Sequence, residues 1–119
     1  MSKTLVITGS SRGIGYALVQ HASAAGHQVY ALSRNISTIK KTNLVHPFSI
    51  DITVKNSLES FVDQIQKDGV QIDALINNAG ALINKPFSET TTEDFFSVYH
   101  VNIIGLASLT RILLPLINT

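Results

Sequence analysis

The chain has 119 residues, 45% of them hydrophobic and 14% charged, with a formal net charge of +1 and no cysteine. That length allows one domain at most. So low a charged fraction, against roughly 25% in soluble domains, suits a sheet covered by helices on both faces, or a chain that expects a partner. A near-neutral chain with no basic run argues against nucleic acid or a membrane surface as its partner. The lack of cysteine excludes disulfide frameworks and thiolate metal sites and fits a cytoplasmic protein.

No leader is expected at the N-terminus, where the first apolar run is only Leu5-Val6-Ile7. That run, within residues 4–8, reads as a strand buried on both faces. It feeds Thr8-Gly9-Ser10-Ser11-Arg12-Gly13-Ile14-Gly15, and a helix over about 13–25 follows, with Ile14, Ala17, Leu18, Ala22 and Ala25 on one face and Gly26 as its stop. Strand, glycine turn and helix start form an arrangement that binds a pyrophosphate. Unpaired N–H groups and a partial positive charge sit at the helix start, and glycines let an anion approach the backbone. The spacing G-x-x-x-G-x-G is neither G-x-G-x-x-G nor a Walker A loop, and no Lys-Ser/Thr pair follows, so nucleoside triphosphate chemistry lacks support. A tight β–α turn that needs positive φ is the other reading of the same glycines.

Residues 29–32 read as a second strand, 34–43 as a polar loop, and 44–50 as a third strand containing Pro47. Proline cannot donate to a ladder, which predicts an edge strand and agrees with the order 3-2-1-4 of a doubly wound sheet. A helix over about 54–67, entered through Thr53, places Leu58, Phe61, Val62 and Ile65 on one face and closes at Gly69. The fourth strand, 72–76, runs into Asn77-Asn78-Ala79-Gly80, and 81–89 form a loop with Pro86.

The last helix is expected from Thr90, with Thr90-x-x-Glu93 as a capping box, to about Leu114. Asn102 and Gly105 interrupt its apolar sequence, and Pro115 should bend or end it. Its apolar end, 103–117, also contains Arg111 and is too short for a bilayer span. Phe95, Phe96, Tyr99, Leu106, Leu109 and Leu113 read as helix-packing residues rather than a substrate box. The first and last helices are expected on one side of the sheet and the middle helix on the other. His21, His27, His46 and His100 show no metal-ligand spacing, so no metal site is expected.

Taken in chain order, Thr8-Gly9-x-x-x-Gly13-Ile14-Gly15, Asp51, Asn77-Asn78-Ala79-Gly80 and Asn102 resemble the N-terminal half of a short-chain dehydrogenase/reductase of the Rossmann type. The resemblance covers the whole chain and about half of the family's usual domain. It implies an α/β fold in which residues 1–119 are the N-terminal portion of a single dinucleotide-binding domain. Gly9, Gly13 and Gly15 would then shape the turn and admit the pyrophosphate, with Ser11, Arg12 and Ile14 of the same turn also binding the cofactor. Asp51 would accept from the adenine amino group, with Ile52 beside the ring. Asn78, Ala79 and Gly80 would steady the central strands and let the ribose lie close, with Gly80 and the loop 81–89 bordering the substrate space. Asn102 matches the asparagine that holds a catalytic water near the family's lysine. Read alone, Asp51 is also compatible with a solvated strand end, Asn78 to Gly80 with an ordinary turn, and Asn102 with a packed core amide.

Charge argues the cofactor choice. An NAD-preferring site needs an acidic side chain near the end of the second strand, and here that region reads Ser33-Arg34-Asn35. Arg34, with Arg12 as a second charge, can pair with a ribose 2′-phosphate, so NADP(H) is expected over NAD(H).

The resemblance implies alcohol oxidation or carbonyl reduction on a small molecule, in a homo-oligomer joined through the helix around 91–116. The family's chemistry rests on a serine and a Tyr-x-x-x-Lys pair. In this chain Tyr16 is followed at that spacing by Gln20, Tyr30 by Arg34 and Tyr99 by Ile103. Three readings stay open: part of a longer reductase, a non-catalytic protein that binds dinucleotide or a partner, and an unrelated open α/β module.

Overall fold

The computed structural model describes residues 1–118. Four parallel strands, β1 (Thr4–Thr8), β2 (Gln28–Ser33), β3 (Val45–Ser49) and β4 (Ala74–Ile76), form one sheet in the order β3-β2-β1-β4. Val6 lies opposite Tyr30 and Leu75, and Tyr30 lies opposite His46. β3 is an edge strand and holds Pro47, as expected. β4 is shorter than 72–76 because Ile72 leaves the ladder to bridge Ile117, donating to the Leu116 carbonyl at 2.8 Å and accepting from Asn118 at 2.7 Å.

The helices are α1 (Gly13–Ala24), α2 (Lys55–Lys67), α3 (Thr92–Tyr99) and α4 (Leu106–Leu113). Their layering corrects the sequence expectation. α2 and α4 share one face, where Leu58, Phe61, Ile65, Leu109 and Leu113 pack on Val6 and Leu32. α1 covers the other, with Val19 and Leu18 against Ile7, Val29 and Ala31. The cause is topological. The chain moves outward from β1 to β3 and then jumps back past β1 to β4, and right-handed crossovers in opposite directions place their helices on opposite faces. Val6 and Ile7, adjacent in β1, point to the two sides.

The apolar face expected for α1 is also shifted. Ile14 is 73% exposed, while Gly15 and Val19 are the buried positions. Gly15 must face inward because a Cβ there would collide with the Gly9 carbonyl and the Asn78 amide. α2 presents Leu58, Phe61 and Ile65 to the core as expected, with Val62 half-buried, but Val54 precedes it and no side chain caps it.

The capping box belongs to Thr91 and Asp94 rather than Thr90 and Glu93. Thr91 accepts from the Asp94 N–H at 3.1 Å and donates its own N–H to Asp94 at 2.9 Å. A 3-10 turn, Phe87–Glu89, uses Thr90 instead: its hydroxyl donates to the Pro86 carbonyl at 3.2 Å.

Asn102 and Gly105 do interrupt the last helix, as a π-helical segment, His100–Gly105, between α3 and α4. Gly105 is required there by close approach, since a Cβ would stand 2.9 Å from the Ile52 carbonyl. Pro115 ends α4 in a 3-10 turn, Leu114–Leu116. Leu109 and Leu113 are core residues, but Phe95, Phe96 and Tyr99 are exposed, contrary to their reading as packing residues. The continuous helical stretch Thr92–Leu116 has 25 residues, and an 18-residue window within it has a mean hydropathy of 1.3 and is 17% buried. Length and composition would let it cross a membrane, whereas 103–117 alone is too short.

Candidate functional site

A cavity of about 460 Å³ opens at the C-terminal ends of the strands, between β1, β2 and β4. Its floor is the glycine-rich turn. Gly9 and Gly13 have φ of +64° and +61°, a region that L side chains avoid. Gly9 also has no room for a side chain, because a Cβ would lie 2.9 Å from the Ala79 Cα. Ser10 is buried and locks the turn, its hydroxyl donating to the Ile7 carbonyl at 2.6 Å and its N–H to the Leu32 carbonyl at 3.1 Å. No side chain caps the start of α1, its first turn has no acidic residue, and Arg12 and Gly13 line the cavity, which leaves the first N–H groups of the helix available to an anion there.

One wall comes from the segment after β4. The Thr8 hydroxyl accepts from the N–H groups of Asn78 and Ala79, each at 2.9 Å, and Asn78 Nδ2 donates to the Gly9 carbonyl at 3.2 Å. The sequence places Thr8 at the head of the glycine motif but gives it no role of its own, because its partners lie about seventy residues away.

The opposite wall holds Ser33, Arg34, Asp51 and Ile52. Asp51 Oδ1 accepts from the Thr53 hydroxyl at 2.6 Å and from the Thr53 N–H at 2.9 Å. Those two bonds hold its carboxyl below the usual carboxylate range; partial burial opposes them, and Arg34 and His100 add smaller pulls. Oδ2 has no hydrogen-bond partner among the described residues and is available to a ligand. Ser11, Arg12 and Arg34 line the cavity on its glycine-loop and β2 side.

Most residues expected at the site are thereby brought together. Gly15 supports the floor from behind, and Ile14 turns to solvent instead of lining the cavity. Asn102 is also outside the wall. Its Oδ1 accepts from the Ala81 N–H at 2.7 Å and its Nδ2 donates to the Ala81 carbonyl at 3.0 Å, so the amide clamps the loop after β4. Ser97, His100 and Val101 line that side instead; the sequence offers His100 only for a metal-ligand test and gives no signal for the other two.

The donors, glycines and carboxylate suit a dinucleotide: bare backbone for a pyrophosphate, a free carboxylate oxygen for an amino group, and cations at one end.

The chain matches the family described as short chain dehydrogenase over residues 3–119. It is similar to the ketoacyl reductase HetN of Nostoc sp., at 34% identity over 121 residues, covering 95% of this chain and 42% of that protein. Among solved structures, the NADPH-bound carbonyl reductase from chicken fatty liver is 25% identical with a TM-score of 0.87, covering 97% of this chain and 51% of the other. A short chain dehydrogenase from Leptospira borgpetersenii with bound NAD+ is 30% identical with a TM-score of 0.86, covering 95% and 46%. The chain spans less than half the length of the curated relatives it matches.

Proposed function

The chain belongs to the short chain dehydrogenase family, and from that membership we propose that residues 1–119 are the N-terminal portion of a single dinucleotide-binding domain in a cytoplasmic, NADP(H)-dependent oxidoreductase. Its reaction is the interconversion of an alcohol and a carbonyl on a small molecule. Solved relatives hold NADPH in one case and NAD+ in another, so family membership leaves the cofactor open.

The observation that carries the NADP(H) choice is the presence of Arg12 and Arg34 on the cavity wall, with no carboxylate at the end of β2. Two guanidinium groups complement a 2′-phosphate, whereas a ribose 2′-hydroxyl calls for an acidic acceptor.

Each part of the chain has its own task in this reading. The α1 N-terminus and the glycine turn bind the pyrophosphate. Asp51 Oδ2 accepts from the adenine amino group, and Asn78, Ala79 and Gly80 shape the ribose wall. Asn102 holds Ala81 and so fixes where the loop 81–89 leaves that wall. The bound nicotinamide supplies or accepts a hydride. No tyrosine of this chain is followed four residues later by lysine, so these residues bind and orient and none is assigned the proton transfer. A second copy of the chain is the partner proposed for the apolar surface of α3 and the π segment, where Phe96, Tyr99, Ile103 and Ile104 are all more than half exposed.

The deciding experiment is a parallel titration of NADPH and NADH into the protein that carries this chain. NADPH is expected to bind at least about tenfold more tightly, the worth of one charge-assisted hydrogen bond. Equal or tighter NADH binding rejects the cofactor choice. Binding without turnover on a panel of carbonyl compounds would favour the non-catalytic alternative.

A further inference from the structure

The loop between β2 and β3 has more fixed structure than its polar sequence implies. Ile39 is buried and Ile36 packs beside it, in the cluster formed by Ile7, Val19 and Val29. The Ile39 N–H donates to the Ile36 carbonyl at 3.0 Å, and Asn35 Oδ1 accepts from the Ser37 N–H at 3.0 Å. The base of the loop is therefore pinned on the α1 side of the sheet.

Its crown is pinned as well. The Thr38 hydroxyl donates to the Ser11 carbonyl at 2.6 Å, across 27 residues of sequence. On the far side the Ser49 hydroxyl donates to the Arg34 carbonyl at 2.8 Å. Ser11 precedes Arg12, and Arg34 enters the loop that contains Thr38. One side-chain hydrogen bond thus ties the segment carrying Arg12 to the segment carrying Arg34.

We infer that Thr38 is a positioning residue for cofactor selectivity, its bond to the Ser11 carbonyl setting the separation of the two arginine-bearing segments. The inference rests on the NADP(H) reading above. Both arginines are exposed, so each loses side-chain freedom when it grips an anion. Two backbones held at a fixed spacing present both guanidinium groups together and lower that cost. Thr38 itself stands outside the cavity wall. Its removal leaves the adenine contact at Asp51 untouched; loosening of the glycine turn at Ser11 acts on both cofactors alike, whereas the spacing of the two arginines acts on the 2′-phosphate alone.

The test compares NADPH and NADH dissociation constants for the unaltered protein, Thr38→Val, Thr38→Ala and Thr38→Ser. Valine and alanine remove the hydroxyl, one with and one without the β-branch; serine restores it. Losing the hydrogen bond is expected to weaken NADPH about three- to tenfold and NADH less than about twofold, with serine close to the unaltered protein. Equal weakening of both cofactors, no weakening of either, or no rescue by serine overturns the role given to Thr38. Tighter NADH than NADPH binding in the unaltered protein overturns the NADP(H) reading instead, so the two failures are told apart by the first titration.

Discussion

The hydroxyl of Thr8, at the end of β1, accepts the backbone N–H of Asn78 at 2.9 Å, joining two motifs that lie 70 residues apart. The same oxygen accepts from Ala79 at 2.9 Å, so one side chain satisfies two donors of the segment that leaves β4. Thr8→Val keeps the shape and removes the acceptor, leaving both N–H groups unpaired in a site where Thr8 is 2% exposed. A loss of about 1–3 kcal/mol in unfolding free energy is expected, with a smaller loss for Thr8→Ser. Urea unfolding of the two variants measures it, and a larger loss in Thr8→Ser than in Thr8→Val would assign the role to packing.

Gly13 and Gly15 differ in why they are glycine, and alanine separates the reasons. Gly13 has φ +61° but open space around a Cβ, so Gly13→Ala costs only the conformational strain of about 1–2 kcal/mol. Gly15 has an ordinary φ and no space, because its Cβ would meet the Gly9 carbonyl and the Asn78 amide. Relief would require α1 to move away from the turn, so Gly15→Ala is expected to lose about 1–3 kcal/mol and most dinucleotide affinity. Retained affinity in Gly15→Ala would contradict the close approach.

Asp51 links stability to acid. Thr53's hydroxyl, then its N–H, hold the folded carboxyl below its unfolded value. Stabilisation from a lowered carboxylate is fully present above the unfolded pKa, about 3.9, and is lost as pH falls through the folded value. Asp51→Asn is therefore expected to flatten the fall of the denaturation midpoint below about pH 4. Asp73 and Asp94 are lowered too, first by hydrogen bonds from Asn118 and Lys85, so part of the acid limb persists. An unchanged limb in Asp51→Asn would remove Asp51 from the account.

Asn102 acts on the loop 81–89 through Ala81. Asn102→Leu leaves the Ala81 N–H and carbonyl without partners, at a cost of about 1–3 kcal/mol if they stay buried. The expected result is faster hydrogen exchange at the Ala81 amide and faster proteolytic cutting within 81–89, with α1 and α2 protection unchanged. Asn102→Asp, which keeps the acceptor alone, should fall between.

How much was legible in the sequence varies with the range of the interaction. Pro47 inside an apolar strand correctly placed β3 at the edge, and Leu58, Phe61 and Ile65 correctly marked the buried side of α2, because both signals are local. The α1 face differs from the periodic one because Ile14 looks like a core residue by periodicity alone, while the inward positions are Val19 and Gly15, the latter held by close contacts with the Gly9 carbonyl and the Asn78 amide. The capping box was misplaced by one residue because Thr90 and Thr91 both satisfy the pattern, and only the 3-10 turn before them decides which is free to cap.

By itself the sequence determined the alternation of strands and helices, the edge position of the strand that holds Pro47, and the glycine turn ahead of the first helix. Each follows from short-range patterns of polarity and backbone freedom. The tertiary structure alone decided the pairing of Thr8 with Asn78, of Thr38 with Ser11 and of Asn102 with Ala81, and with them the walls of the cavity. It also decided which helices share a face, because the direction of each crossover depends on where the next strand joins the sheet. Hydrogen bonds between residues tens of positions apart leave no periodic trace, and they exist only once the topology has brought their partners together.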